Sequence, residues 1–390
     1  MLLLNQIAHR SPHAEVWWDS MPSSFVQWRD RLAETLPERQ RELFHAGFAQ
    51  LIGGRGEGSG LLKGSTTNPR LFLESLLMDP ERTRERISRI AASRTTATDE
   101  DIYWQLYMET FADESRLWLE HWRRSGGSQG WVCAQMPPVS SFDTEALVAQ
   151  GVEMAAVSPN LMIKVVGSKQ GYEAIEALAA RGISINNTLS FSVPQFVRAL
   201  DALKSGYAQA QANGVDLTRW RAVITYMVGR LGAEEEFTQQ ARERGIELTV
   251  RDIRWAEMAL FQRIQPMVEA LGLPIKMLLC SLRVDKSGTA RHCFHIEQSI
   301  GSDCVYTIPP AFFLELFESG SDRIPPGPAW GEPVPGEVMD KLMRIPYFCE
   351  AYEPDGMPPE AFCFHPAFIT GLKDVNAAYR KALDIVRTCR

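Results

Sequence analysis

The sequence predicts an α/β fold: a closed parallel (β/α)8 barrel, a TIM barrel, with additional helices and a C-terminal extension. Three observations carry this. Eight short strand-like runs, at 15–18, 61–67, 131–136, 161–166, 184–190, 222–228, 276–281 and 304–308, alternate with helix-like segments. Eight β/α repeats suggest a closed barrel more than an open sheet. The run Leu161-Met162-Ile163-Lys164-Val165-Val166 is apolar almost throughout, as a strand covered on both faces must be. The chain is 390 residues long, which could hold two or three domains, but single barrels also reach this size.

The elements follow in order. Residues 1–14 read as an N-terminal tail. Val16-Trp17-Trp18 ending on Asp19 opens the barrel. Residues 25–52 and 80–124 read as largely helical, with Trp104, Leu106, Phe111, Leu117, Leu119 and Trp122 recurring on apolar faces, so 30–125 carries helical insertions. Between them, Gly53 to Gly60 is glycine-rich but lacks a GK[ST] ending and a clear preceding strand, and reads as a plain linker. Helical patterns at 171–181, 194–212, 233–244 and 255–271 separate the later strands. Residues 320–390 read as an extension packed on the barrel, Pro/Gly-rich from Pro325 to Pro335 and helical from Asp374 to Val386. It is too short and irregular for a core of its own, so 1–390 is expected to be one domain.

Composition bounds the function. At 45% hydrophobic and 23% charged the chain has material for a large core. A net charge of −7 and a pI near 5.6 imply no general attraction to nucleic acid or anionic membrane. No apolar run reaches spanning length, and Met1-Leu2-Leu3-Leu4-Asn5-Gln6 is a poor signal peptide. Seven cysteines at scattered spacings favour a reducing compartment, so a cytoplasmic protein is expected.

Lys164 lies in a buried strand, and an unpaired buried ammonium is costly. It could escape to water at the strand end. Alternatively, it is kept partly desolvated so that its neutral amine attacks a carbonyl. Barrel active sites lie at the C-terminal strand ends. The polar residues there are Asp19, Thr66-Thr67-Asn68, Gln135, Lys164, Asn186 with Thr188, Thr225 to Arg230, and Ser281 with Arg283. This set suits a Schiff-base lyase acting on a phosphorylated carbonyl compound: lysine forms an imine, a carboxylate moves a proton, and arginines bind phosphate.

Over roughly residues 15–320 the sequence resembles the transaldolases and the related fructose-6-phosphate aldolases. Ser65-Thr66-Thr67-Asn68-Pro69 is similar to the family's TTNP segment. Leu161 to Val165 followed by Gly171 resembles the segment bearing the Schiff-base lysine. Gly182 to Ser192 resembles GIxxNxTLxFS, Val228-Gly229-Arg230 matches VGR, and Ser281-Leu282-Arg283 resembles the SFR phosphate contact. The resemblance implies that Lys164 forms the imine and Asp19 is the acid/base on the substrate hydroxyl. It further implies that Thr188 positions a catalytic water, that Asn68 and Asn186 hold substrate hydroxyls, and that Arg230, Ser281 and Arg283 bind phosphate. Thr67, Thr225, Tyr226 and Met227 fall in the same segments and are counted as substrate-binding.

The pattern also departs from the family. Gln135 stands where transaldolases carry a glutamate; fructose-6-phosphate aldolases carry a glutamine there. A glutamine can hold a water but cannot accept its proton. Thr225 and Met227 align with the family's serine and aromatic positions, with Tyr226 beside the latter. Gly232 replaces the acidic residue that usually follows VGR.

The remaining signals have plainer readings. His292-Cys293-Phe294-His295 fits no common zinc spacing and reads as structural. Cys133 and Cys280 read as small core residues, and Asp143 as a helix cap. The tryptophan-rich helices near 104–122 read as core or subunit contact, and a homo-oligomer is left open. The expected function is transfer of a three-carbon ketol unit between small sugar phosphates, with no metal and no cofactor. The rivals are a fructose-6-phosphate aldolase-type lyase or a specialised-pathway aldolase, and a barrel that has lost catalysis and acts as a binding protein.

Overall fold

The computed structural model describes residues 7–52, 60–287, 290–319 and 330–390. The glycine-rich linker up to residue 59 and the start of the Pro/Gly-rich segment lie outside them, as does the whole N-terminal hexapeptide. Eight parallel strands close into a barrel: β1 (Glu15–Asp19), β2 (Leu62–Thr66), β3 (Trp131–Gln135), β4 (Leu161–Val166), β5 (Ile185–Ser190), β6 (Ala222–Met227), β7 (Ile275–Cys280) and β10 (Cys304–Ile308). These are the eight runs expected from the sequence. Closure comes from β1, which pairs with both β2 and β10. An unanticipated antiparallel hairpin, β8 (Asp285–Ser287) with β9 (Ala290–His292), stands between the last two barrel strands.

Side chains alternate between the two faces of each strand. Trp17, Trp131, Cys133, Met162, Val223, Leu278 and Val305 point inward and form a cluster that fills the barrel. Gly64 faces Trp17, where a Cβ would stand 2.8 Å from the indole. Their neighbours Trp18, Val132, Ala134, Ile163, Val165, Ile224, Tyr226 and Tyr306 point outward and join the main core under the helices. Two residues beyond the inward cluster, the next inward positions are Asp19, Gln135, Lys164, Thr225, Cys280 and Thr307. Strand periodicity thus puts one polar layer on top of the apolar filling.

The N-terminal end of the barrel is closed by charges. Glu15 and Arg221 form a buried pair at 2.5 Å, and Lys276 bridges Glu15 at 3.0 Å and Asp303 at 2.6 Å. Burial alone would raise the Glu15 carboxyl, but Arg221, Lys276 and the Trp17 indole together hold it below its ordinary value.

The predicted helical region 25–52 is two helices, Phe25–Glu34 and Glu38–Ile52, parted around Pro37. The region 80–124 is likewise Pro80–Ser93 and Asp99–Arg124, the second opened by a Thr98–Asp101 capping box. A helix not anticipated, Pro69–Met78, starts directly after β2, with Asn68 as its cap. The C-terminal helix spans Pro366–Cys389 and not only the stretch from Asp374; His365 caps it and Pro366 takes its first position. It packs on Pro69–Met78, on Asp99–Arg124 and on β5. Gly371 allows the close approach, since a Cβ there would stand 2.9 Å from Leu189.

Candidate active site

The polar layer opens into a cavity of about 200 Å3 at the C-terminal ends of the strands. Asp19, Thr66, Asn68, Gln135, Lys164, Thr188, Thr225, Met227, Arg230 and Ser281 line it, all drawn from the strand-end residues of the sequence. A larger cavity of about 310 Å3, near Ser23, Arg82 and Glu114, lies among the outer helices and holds none of these groups.

Lys164 is 6% exposed, and its Nζ donates to the Thr67 carbonyl at 2.9 Å and lies 3.4 Å from Thr66 Oγ1. The ammonium therefore does not escape along the strand; it stays inside the barrel on neutral acceptors. Gln135 is its register partner on β3. Tyr107 donates to the Gln135 carbonyl at 2.6 Å, which fixes the end of β3, while Gln135 Nε2 is buried without a partner among the described residues. Thr307 Oγ1, also buried in the cavity wall, has none either. Such groups are expensive to leave unpaired unless something polar meets them.

Asp19 ends β1 on the cavity. Burial raises its carboxyl to about 6, with the Lys164 charge pulling the other way and Glu74 adding to the rise. Cys280, beside it in the wall, is a neutral thiol pushed up to about 12 by burial and by the Asp19 charge.

Asn68 accepts from the Leu71 N–H with its Oδ1 at 3.0 Å, leaving its amide NH2 as a donor toward the cavity. Two non-glycine residues, Leu189 and Ser281, hold φ of 56° and 57°, and both lie in the wall. Left-handed backbone at such residues is unfavourable and gathers at functional sites.

Four expected residues fall elsewhere. Tyr226 faces outward: its hydroxyl donates to the Glu257 carbonyl at 2.9 Å and its ring meets Phe196. With Thr225 and Met227 both inward, alternation allows nothing else. Thr67 also turns away, donating to the Cys133 carbonyl, and contributes its own carbonyl to Lys164 instead. Asn186 is buried beneath the wall, its Oδ1 accepting from Thr225 at 2.7 Å and its Nδ2 lying 3.2 Å from Cys133 Sγ. Arg283 is exposed and leans on Gly229, with Nη2 3.5 Å from that carbonyl, outside the cavity wall.

The glycine after VGR has a steric reason. A Cβ at Gly232 would stand 2.6 Å from Glu257 Oε1. Glu257 brings the carboxylate to that place from another helix and bonds His295 at 2.7 Å and Arg254 at 2.9 Å. His295 in turn accepts from the Arg283 N–H, so this network braces the loop after Ser281. His295 is thus the structural residue expected from sequence. Cys133 and Asp143 also match their plain readings: one is buried in the barrel filling, the other caps the helix Thr144–Ala155.

The wall also includes residues that the sequence reading did not select: Arg70, Leu189, Leu278, Gly371, Asp374 and Val375. The last three sit at i, i+3 and i+4 on one face of the C-terminal helix. Asp374 pairs with Arg230 at 2.5 Å.

The buried Lys164 and the Asp19 carboxylate share one cavity at the mouth of a closed parallel barrel. The profile of the Transaldolase/Fructose-6-phosphate aldolase family matches residues 55–344, and the chain belongs to that family. The transaldolase of Thiobacillus denitrificans is 27% identical over 305 residues, 75% of this chain and 81% of that protein. The transaldolase of Saccharopolyspora erythraea is 28% identical over 259 residues, 64% of this chain and 69% of that one. Transaldolase 1 of Streptomyces coelicolor is 32% identical over 273 residues, 67% and 71% of the two chains. Among the described residues, no helix is long and apolar enough to cross a membrane.

Proposed function

We propose that the protein transfers a three-carbon ketol unit between sugar phosphates through an imine on Lys164. The burial of Lys164 Nζ in a cavity shared with Asp19 carries this reading. The neutral amine adds to the ketose C2 carbonyl, and the carbinolamine hydroxyl takes up a proton and leaves as water to give the iminium. Asp19 takes the proton from the C4 hydroxyl as the C3–C4 bond breaks, and the bonding electrons pass into the iminium to form an enamine. The aldehyde leaves. An incoming aldehyde is attacked by the enamine carbon, and Asp19 returns the proton to the new hydroxyl. Water then releases the product ketose and the lysine. In this reading the Gln135 Nε2, Thr188 and Thr307 hold the water or a substrate hydroxyl, and Arg230 with Ser281 binds the phosphate; their shared position in the cavity wall supports it.

Gln135 favours a second reading, a lyase that protonates the enamine and releases free ketone. The experiment is borohydride reduction with fructose 6-phosphate and mass spectrometry of the adduct, followed by turnover with and without erythrose 4-phosphate. An adduct on Lys164 with acceptor-dependent turnover supports transfer. Sustained release of dihydroxyacetone without acceptor supports the lyase, and no adduct with any ketose phosphate defeats both.

A further inference from the structure

We propose that Asp374 is a specificity-determining residue that competes with a substrate phosphate for Arg230. It thereby sets how strongly the site prefers phosphorylated over non-phosphorylated sugars. This rests on the reading of Arg230 as the phosphate contact.

Arg230 and Asp374 belong to different parts of the chain and meet in one cavity wall. Arg230 comes from the single helical turn after β6, and Asp374 from the C-terminal helix. At 2.5 Å from Arg230 Nη2, the Asp374 carboxylate makes a charge-assisted bond with a guanidinium edge that a phosphate oxygen would use. The carboxylate rides on an anchored element. Gly371 lies against Leu189, Phe368 packs with Leu189 and Phe191, and Tyr379 meets Tyr103 edge-on at 4.8 Å. Arg283, the other arginine expected here, stands outside the wall. Of the two arginines in the wall, Arg70 pairs with Glu74 at 3.0 Å and Arg230 with Asp374.

The Arg230–Asp374 pair treats two sugar ends differently. A phosphate must displace the carboxylate or sit beside it against like-charge repulsion. A hydroxymethyl end leaves the pair intact, donating to Asp374 or accepting from Arg230. Asp374 is 59% exposed, so its side chain can swing into water. It therefore weakens phosphate binding without forbidding it.

The test is calorimetric titration of the full chain with inorganic phosphate, for wild type, Asp374→Asn, Asp374→Glu, Arg230→Ala and the Asp374→Asn/Arg230→Ala double variant, with Tm recorded for each. Asp374→Asn should bind phosphate about tenfold tighter, Asp374→Glu should match wild type, and the gain should vanish in the Arg230→Ala background. An unchanged or weaker Kd in Asp374→Asn, or an equal gain without Arg230, overturns the proposal. If Arg230→Ala itself leaves phosphate affinity unchanged, the reading of Arg230 is what fails. A second readout is the KM for fructose 6-phosphate against that for fructose. Asp374→Asn should lower the first by a similar factor and move the second far less; equal shifts in both would mark a merely structural role.

Discussion

Gln135 and Lys164 stand side by side as register partners of β3 and β4, one with an amide nitrogen unpaired among the described residues, the other with its amine on the Thr67 carbonyl. A carboxylate at position 135 would place an anion beside the lysine; the amide offers a hydrogen bond and no charge. Gln135→Glu is expected to shift the fate of the bound enamine toward transfer. The measurement is the ratio of free dihydroxyacetone to transferred product from fructose 6-phosphate with erythrose 4-phosphate present. An unchanged ratio would show that this position does not govern the partition.

Lys164→Arg keeps the charge but removes the nucleophile. Borohydride trapping should disappear, while the circular dichroism spectrum and the Tm should stay near those of wild type. Undiminished trapping would place the imine on another lysine.

Asp19 gives two linked expectations. With its carboxyl raised to about 6, the base form is present above that pH, so kcat/KM should fall as pH drops through 6. The stability effect has the opposite sense. The folded protein favours the protonated acid, so ionising it destabilises the fold as pH rises from about 4 through 6. Asp19→Asn should therefore lose carbon–carbon cleavage yet gain stability at pH 8, on the order of 2 kcal/mol, relative to its effect at pH 4. Urea unfolding at the two pH values reads the difference, and an equal effect at both would mean that the carboxyl is not strained.

At the opposite end of the barrel, Arg221→Met should leave the buried Glu15 with the Lys276 charge and the Trp17 indole but without its closest counter-charge, at a cost of roughly 3–5 kcal/mol. Because Glu15 is held below its ordinary value, the pair's contribution is present at neutral pH and lost as pH falls below the carboxylate range. The gap between wild type and variant should accordingly narrow in acid. A constant gap from neutral to acid pH would show that the ion pair is not its source.

Arg230→Ala should weaken phosphorylated donors by about 1.5–3 kcal/mol and leave dihydroxyacetone nearly untouched. Parallel KM changes for both would remove Arg230 from phosphate recognition.

The barrel was legible because its strands announce themselves twice, by apolar runs and by the polar residues that end them. All eight were readable, and so were ten residues of the cavity wall. The errors are local. Tyr226 was placed by its neighbours in a motif, but it lies between two inward residues and so must face out. Thr67 and Thr66 exchange roles for the same reason. Thr307, two residues past inward Val305, could have been found by alternation. Asp374 could not: nothing near it in sequence points to Arg230, and it takes the packing of the C-terminal helix on the barrel to bring them together.

That distant contact has a consequence for biogenesis. A nascent chain that has emerged as far as Ile308 already carries all eight barrel strands and Lys164. It still lacks the wall formed by Gly371, Asp374 and Val375. Ribosome-bound intermediates of this length would expose an amine-bearing mouth with an unshielded Arg230, open to any small anion or carbonyl compound around it. Selectivity would then be the last property the molecule acquires as it is made, well after its shape.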